Sequence, residues 1–315
     1  MSSLKRKTLY LHIGVGKTGT TSQQAFLSKN REALLQLGLD YLYADDLGRG
    51  SGHQNFAKSF IKDKPYYEMT FGNLEQVKHD VKQELIESTS EKVLISSENF
   101  ELACPFEVAH FLNDIEDLDV KIILFVRSQD ELSESVYNQL VKLKNEQRSF
   151  KEFFEYTHNL GWYDFLSLAN KWEEAFGEGS IVACKYDAKE NDSILKLLIA
   201  AGVDEEAFTS LDFQLTPENV SIGYETLFLL KSLNKLDIPG RPNLYRKIME
   251  QQASDKELPA LVFDSDTASY IRLLYDGVNK KFSKKYLSKE TTDFGGRKYT
   301  LQERQLICKQ IKSLI

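Results

Sequence analysis

The chain has 315 residues, enough for one large α/β domain or two smaller ones with a substantial core. Its net charge of −7 is spread over 40 Lys and Arg against 47 Asp and Glu, which argues against a dedicated nucleic-acid binder, whose footprint is a basic patch. Cys104, Cys184 and Cys308 are far apart and form no CxxC pair or Cys/His cluster, which predicts reduced thiols and no metal site.

The start, MSSLKRKTLYLHIG (1–14), is basic, but its apolar run is too short for a secretory segment. Nowhere does the chain approach the roughly 18 apolar residues of a membrane span. A cytoplasmic protein without a membrane span is expected.

In chain order, five short apolar runs read as strands: LYLHI (9–13), LDYLY (39–43), KVLIS (92–96), KIILFV (121–126) and IVACK (181–185). Helical patterns separate them. Gly38 stands as the C-terminal glycine of the first helix. Leu74, Val77, Val81 and Leu85 recur at the spacing of one helix face, as do Leu132, Val136, Leu140 and Leu143 after the fourth run. ADDLGRGSGHQN (44–55) reads as a loop, and from about Asn219 onward the chain reads as helical, with breaks at DIPGRPN (237–243) and DFGGRK (293–298). The expected class is α/β: a central, mainly parallel β-sheet flanked by helices, with a helical C-terminal part.

Between the first run and the first helix lies IGVGKTGTTS (13–22). Gly14, Gly16 and Gly19 let backbone N–H groups approach a phosphate closely, Lys17 brings a positive charge, and Thr18, Thr20 and Thr21 bring hydroxyls. The segment suits an anion. A nucleoside-triphosphate loop of the type GxxxxGK[ST] needs a glycine five positions before Gly16, where Leu11 stands, and the fourth strand ends in Arg127 rather than an acidic Mg²⁺ ligand.

GKTGTT resembles the 5′-phosphosulfate loop of the sulfotransferases that use 3′-phosphoadenosine 5′-phosphosulfate (PAPS), in which a K-[ST]-G-T-T core follows the first strand. The resemblance implies that Gly16, Lys17, Thr18, Gly19, Thr20 and Thr21 hold the donor. FVRSQDELSESVYNQLVK (125–142) is similar to the family's 3′-phosphate motif, a strand-end arginine followed by a serine on the next helix; Arg127 and Ser135 match it. The long fork of an arginine is suited to a phosphate. IVACKYDAKENDSILKLLIAAGV (181–203) is a weaker likeness that sets Tyr186 near the adenine and Asp187 at the adjoining loop, although an ordinary strand-end tyrosine has the same appearance.

The likeness covers roughly residues 8–203 and is closest to bacterial members. It implies a P-loop-NTPase-like sulfotransferase fold, read as a single domain 1–315 with core sheet and donor site in 8–203 and a helical portion in 219–315. The product would be adenosine 3′,5′-bisphosphate and no metal would be required. Two departures stand out: Ser22 occupies the position of the tryptophan that stacks on adenine in animal cytosolic members, and their late Arg-Lys-Gly loop has only GGRKY (295–299) as an echo, leaving Arg297 and Lys298 without a role.

The transfer needs a base for the acceptor hydroxyl and a donor to offset charge on the leaving oxygen. Lys17 suits the second task. For the first, Glu98 closes the third strand in KVLISSENF, where animal cytosolic members carry their base, with Ser96, Ser97 and Asn99 beside it to orient it or the acceptor. The competing reading of Glu98 is a helix N-terminal or ion-paired carboxylate. His53, in the 44–55 loop, is the other candidate base or an acceptor-binding residue. Residues 45–56 and NLGWYDFL (159–166) would form the acceptor lip, with Trp162, Tyr163 and Phe165 stacking on a sugar or aromatic ring or else serving the core. The expected acceptor is a carbohydrate or small molecule. Alternatives are a divergent P-loop kinase using Mg-ATP, or a non-catalytic nucleotide-binding protein.

Overall fold

The computed structural model describes residues 6–43, 51–62, 73–143, 146–187, 189, 191–214, 223–236, 244–245, 247–248, 258–287, 293–294 and 299–313. The break at 237–243, residues 44–50 of the first loop, and Arg297 with Lys298 lie outside them.

Five strands form one sheet: β1 (Lys7–His12), β2 (Leu39–Tyr41), β3 (Lys92–Ser96), β4 (Leu118–Val126) and β5 (Ile181–Lys185). Their order is β2-β3-β1-β4-β5, and every pairing is parallel. The α/β class read from the apolar runs is thus the observed one, and β3 and β5 have the boundaries of their runs.

Parallel strands need crossovers, and the helices supply them. α1 (Thr20–Lys29) and α2 (Arg31–Gln36) link β1 to β2; α3 (Gln54–Lys58) and α4 (Leu74–Glu87) link β2 to β3; a 3₁₀ turn (Glu98–Leu102) and α5 (Pro105–Leu112) lead to β4. α6 (Gln129–Leu143), α7 (Phe150–Asn159) and α8 (Phe165–Phe176) precede β5, and α9 (Asp192–Ala200) follows it. On one sheet face Leu94, Ile123 and Phe125 pack with Phe26, Leu27 and Leu34 of the first two helices and Ile194, Leu197 and Leu198 of α9. Their strand neighbours Val93, Ile95, Ile122 and Leu124 point to the other face and are fully buried as well. Both faces are covered, which is why the strand runs are apolar without alternation.

The helix expected after the anion loop is two. Asn30 ends α1, and its side chain fixes that end: Nδ2 donates to the Phe26 and Asp212 carbonyls, both at 3.0 Å, and Oδ1 accepts from the Asp212 N–H at 2.7 Å. Gly38 (φ 80°) therefore closes α2.

The chain divides into two compact units. The first comprises Met1–Arg127, Phe165–Thr216 and Asn279–Gly295, and contains the whole sheet; the second comprises Ser128–Asp164, Pro217–Val278 and Gly296–Ile315. The second unit holds α6, α7 and α10 (Tyr224–Asn234). Buried ion pairs brace it: Arg304 donates to both Glu134 oxygens at 2.9 and 2.7 Å, and Arg272 pairs with Asp130 at 2.6 Å. Such pairs tolerate burial because each charge is matched and hydrogen-bonded.

Candidate functional site

After β1 the chain turns toward β2, whereas after β4 it turns toward β5. Neighbouring strands whose connections leave in opposite directions open a crevice at their carboxyl ends, the usual ligand position in such sheets. The loop 13–19 and Arg127 both stand there.

The loop is built from special backbone. Gly14 (φ 81°) has no space for a side chain, since a Cβ would come within 2.7 Å of the Glu98 Cα. Gly19 (φ 86°) is confined likewise: a Cβ would meet Ser193 Oγ at 2.8 Å and the Tyr186 ring at 3.3 Å. Lys17 itself is left-handed (φ 67°), which costs a non-glycine residue about 1–2 kcal/mol. Two bonds hold the turn around it. Thr18 Oγ1 donates to the Val15 carbonyl at 2.6 Å, and Arg127 Nη1 donates to the Lys17 carbonyl at 2.9 Å.

α1 begins at Thr20 with no side-chain cap and no acidic residue in its first turn. Its first N–H groups have no intrahelical acceptor, and the helix dipole adds partial positive charge there. Thr18 and Thr20 are buried, and Thr21 and Ser22 exposed.

Arg127 is half-buried directly after β4, with its guanidinium 5.1 Å from the centre of the Tyr186 ring. Tyr186 follows β5 and extends the sheet pairing by one step, its N–H donating to the Val126 carbonyl at 2.8 Å. Lys17, Gly19, Arg127 and Tyr186, separated by up to 169 residues in sequence, are thus brought into one neighbourhood of the first unit. Asp187 accepts from the Lys189 N–H at 3.2 Å. Ser135 is half-buried on α6 in the second unit, and its expected role rests on its spacing from Arg127.

Glu98 opens the 3₁₀ turn after β3. Gln24 Nε2 and Gln54 Nε2 both donate to its Oε2, at 3.2 and 3.1 Å, while Oε1 accepts from no described residue. Gln54 is itself fixed by Ser97 Oγ at 2.6 Å and Asn99 Nδ2 at 2.8 Å, both donating to its Oε1. Ser97 and Asn99 therefore act on Glu98 through Gln54. Gly52 is small because a Cβ would come within 2.6–2.9 Å of the Gln24 amide.

Beneath this cluster the geometry corrects the expectation for His53. It is buried, its Nε2 bonds the Leu42 carbonyl at 3.1 Å and its Nδ1 accepts from the Ser96 N–H at 3.2 Å. Burial, with the Arg31 charge, lowers its pKa to about 4. A neutral imidazole with both nitrogens committed to backbone is a clamp between the β2 and β3 ends, and has neither a lone pair for a substrate proton nor a donor for an acceptor. His12 is equally buried, bonded through Nδ1 to Ser96 Oγ at 2.8 Å, and burial lowers its pKa to about 3.

The aromatic lip is corrected too. Tyr163 is buried in the second unit, its hydroxyl bonded to Thr157 Oγ1 at 2.8 Å; Phe165 is buried in the first, against Phe282 and Phe294. Both serve cores, and Trp162 alone of the three is half-buried.

Sequence reading missed Gln24, Gln54 and Glu101. Glu101 Oε2 accepts the Gly16 N–H at 3.2 Å, so a carboxylate reaches the anion loop. The polar spacing of α1 was no guide to Gln24, because its partners lie 30 to 74 residues away.

No family model matches the chain. It is 27% identical over 146 residues to an uncharacterized protein of Archaeoglobus fulgidus, covering 45% of this chain and 38% of that protein. The chain thus spans about two fifths of that relative's length. Among solved structures it is similar to the crystal structure of a sulfotransferase from Alicyclobacillus acidocaldarius, with a TM-score of 0.43 and 18% identity over 75% of this chain and 98% of that one. No described helix is long and apolar enough to cross a membrane.

Proposed function

We propose that the chain is a PAPS-dependent sulfotransferase acting on a hydroxyl of a carbohydrate or small molecule. The observation that carries this reading is the joining of the loop to Arg127 through the Lys17 carbonyl, with the Tyr186 ring against both. A nucleotide with phosphates on both the 3′ and 5′ positions calls for two anion holders side by side. A strand-end arginine tied to a glycine-rich loop fits that need better than a triphosphate with a metal does.

The donor supplies an activated sulfuryl group. Gly16, Gly19 and the first turn of α1 offer N–H groups to the 5′ end, and Arg127 offers its fork to the 3′-phosphate, with Tyr186 toward the base. Glu98 Oε1 takes the acceptor proton as the acceptor oxygen bonds to sulfur and the sulfur–oxygen bond to the 5′-phosphate breaks. Two amides donating to Oε2 hold the orientation of the carboxylate. Lys17 offsets the charge that develops on the leaving oxygen, so positioning and electrostatics carry most of the rate.

Calorimetric titration with adenosine 3′,5′-bisphosphate, against Mg-ATP and AMP, tests the reading. Tight binding of the bisphosphate alone is expected. Preference for Mg-ATP would replace the sulfotransferase with a kinase.

A further inference from the structure

Glu101 has no part in the chemistry above, yet it touches the loop on which that chemistry depends. The turn that follows β3 is 3₁₀, with three residues per turn, so side chains three apart lie on one side. Glu98 and Glu101 are such a pair. Glu98 is turned to the amides of Gln24 and Gln54, and Glu101 is turned to the loop, with Oε2 on the Gly16 N–H at 3.2 Å and Oε1 at 3.7 Å from where a Gly16 Cβ would stand. The only glycine of the GKTGTT core to have its N–H bonded to a side chain among the described hydrogen bonds is bonded to an acid. An acid at that point is an internal anion in a segment whose glycines, lysine and helix end all suit an external one.

We propose that Glu101 couples nucleotide binding to the uptake of one proton: ionised, it holds the Gly16 N–H, and it becomes neutral when a phosphate-bearing nucleotide takes the loop. This rests on the donor reading and deepens it. On the Glu101 turn stands Glu98, whose negative charge opposes ionisation; on the loop stand Gly16 and, next in sequence, Lys17, whose carbonyl is held by Arg127. Burial, opposed by the Gly16 N–H and reinforced by Glu98, pushes the Glu101 carboxyl up to about 7. A bound phosphate adds a second negative neighbour and raises it further, so the proton is taken from solvent as the ligand enters.

The test is the affinity for adenosine 3′,5′-bisphosphate between pH 7 and 8.5, where the ligand's phosphates, with a second pKa of about 6, are already ionised. In the wild type the dissociation constant should rise toward about tenfold per pH unit, the signature of one proton. Glu101→Gln should flatten the profile and bind more tightly than the wild type at pH 8.5, with Glu101→Ala moving the same way. Calorimetry of the wild type in buffers of different ionisation enthalpy counts the proton without any variant. A bisphosphate that binds well with the same pH slope in all three proteins, or with no proton uptake in the wild type, overturns the coupling and leaves the donor reading standing. No bisphosphate binding at any pH overturns both.

Discussion

Two strand-to-helix junctions lie side by side at the carboxyl end of the sheet, and they are opposites. The one after β1 is glycine-rich backbone with a lysine, leading into a helix end without an acid. The one after β3 carries Glu98 and Glu101 on a turn capped by Ser97, whose Oγ accepts the Asn99 N–H at 3.2 Å. They are packed to contact, because Gly14 lies against the Glu98 backbone and Gly16 bonds Glu101. On the proposed reading, anion affinity and proton affinity belong to different stretches of backbone that touch across a few ångströms.

Removing the chemical group from either junction should break the contrast most strongly. Glu98→Gln should lower kcat by about 10²–10⁴, the usual worth of a general base, with bisphosphate affinity unchanged. Lys17→Ala should lower it by about 10²–10³, as loss of a transition-state donor does. Steady-state kinetics with matched titrations checks both, and a parallel fall in bisphosphate affinity for Glu98→Gln would erase the division of labour.

Acid should separate the junctions from the histidine layer beneath them. His12 and His53 are neutral in the folded protein and protonate in the unfolded chain below about pH 6.5, so their contribution to stability is lost as pH falls toward 4 and then 3. Glu101, raised to about 7, works the other way, adding stability as pH falls from 7 toward 4.5. Near pH 5.5 the unfolded chain binds two of these protons and the folded protein one, giving a slope of about 1.4 kcal/mol per pH unit. Glu101→Gln should steepen it to about 2.7 kcal/mol per unit, read by urea unfolding at pH 5 to 6.5.

Gly14→Ala would press the junctions apart. A left-handed backbone and a Cβ within 2.7 Å of Glu98 Cα should together cost about 3 kcal/mol of unfolding free energy, measurable by urea. Arg127→Ala sharpens the comparison on the binding side alone: a lost charge-assisted contact should weaken the bisphosphate by about 10–100-fold.

The fold was legible because its central strands are buried on both faces, leaving unbroken runs such as KVLIS, whose ends coincide with β3; IVACK, half-buried throughout at the sheet edge, coincides with β5 by its β-rich composition. The break at Asn30 was not, since the contact that fixes its side chain on the far side is with Asp212, 182 residues on. The turn between β1 and α1 was legible because its glycines are local, within six consecutive residues. Glu98 stood out at a strand end, but nothing near His53, Tyr163 or Phe165 announces burial, which depends on what packs over them. Glu101 was invisible for the same reason: the N–H that gives it meaning is 85 residues earlier.

The position of β1 also sets a timetable. It lies at the centre of the sheet, yet both its partners are made much later, at Lys92 and Leu118. At bacterial-to-eukaryotic synthesis speeds of about 5–20 residues per second, the first strand waits roughly 4–17 s on the ribosome before its first neighbour, β3, is complete. Its long-range pairings also make closure slow. The apolar run Leu9–Ile13 is thus synthesised well before the strands that cover it on either side.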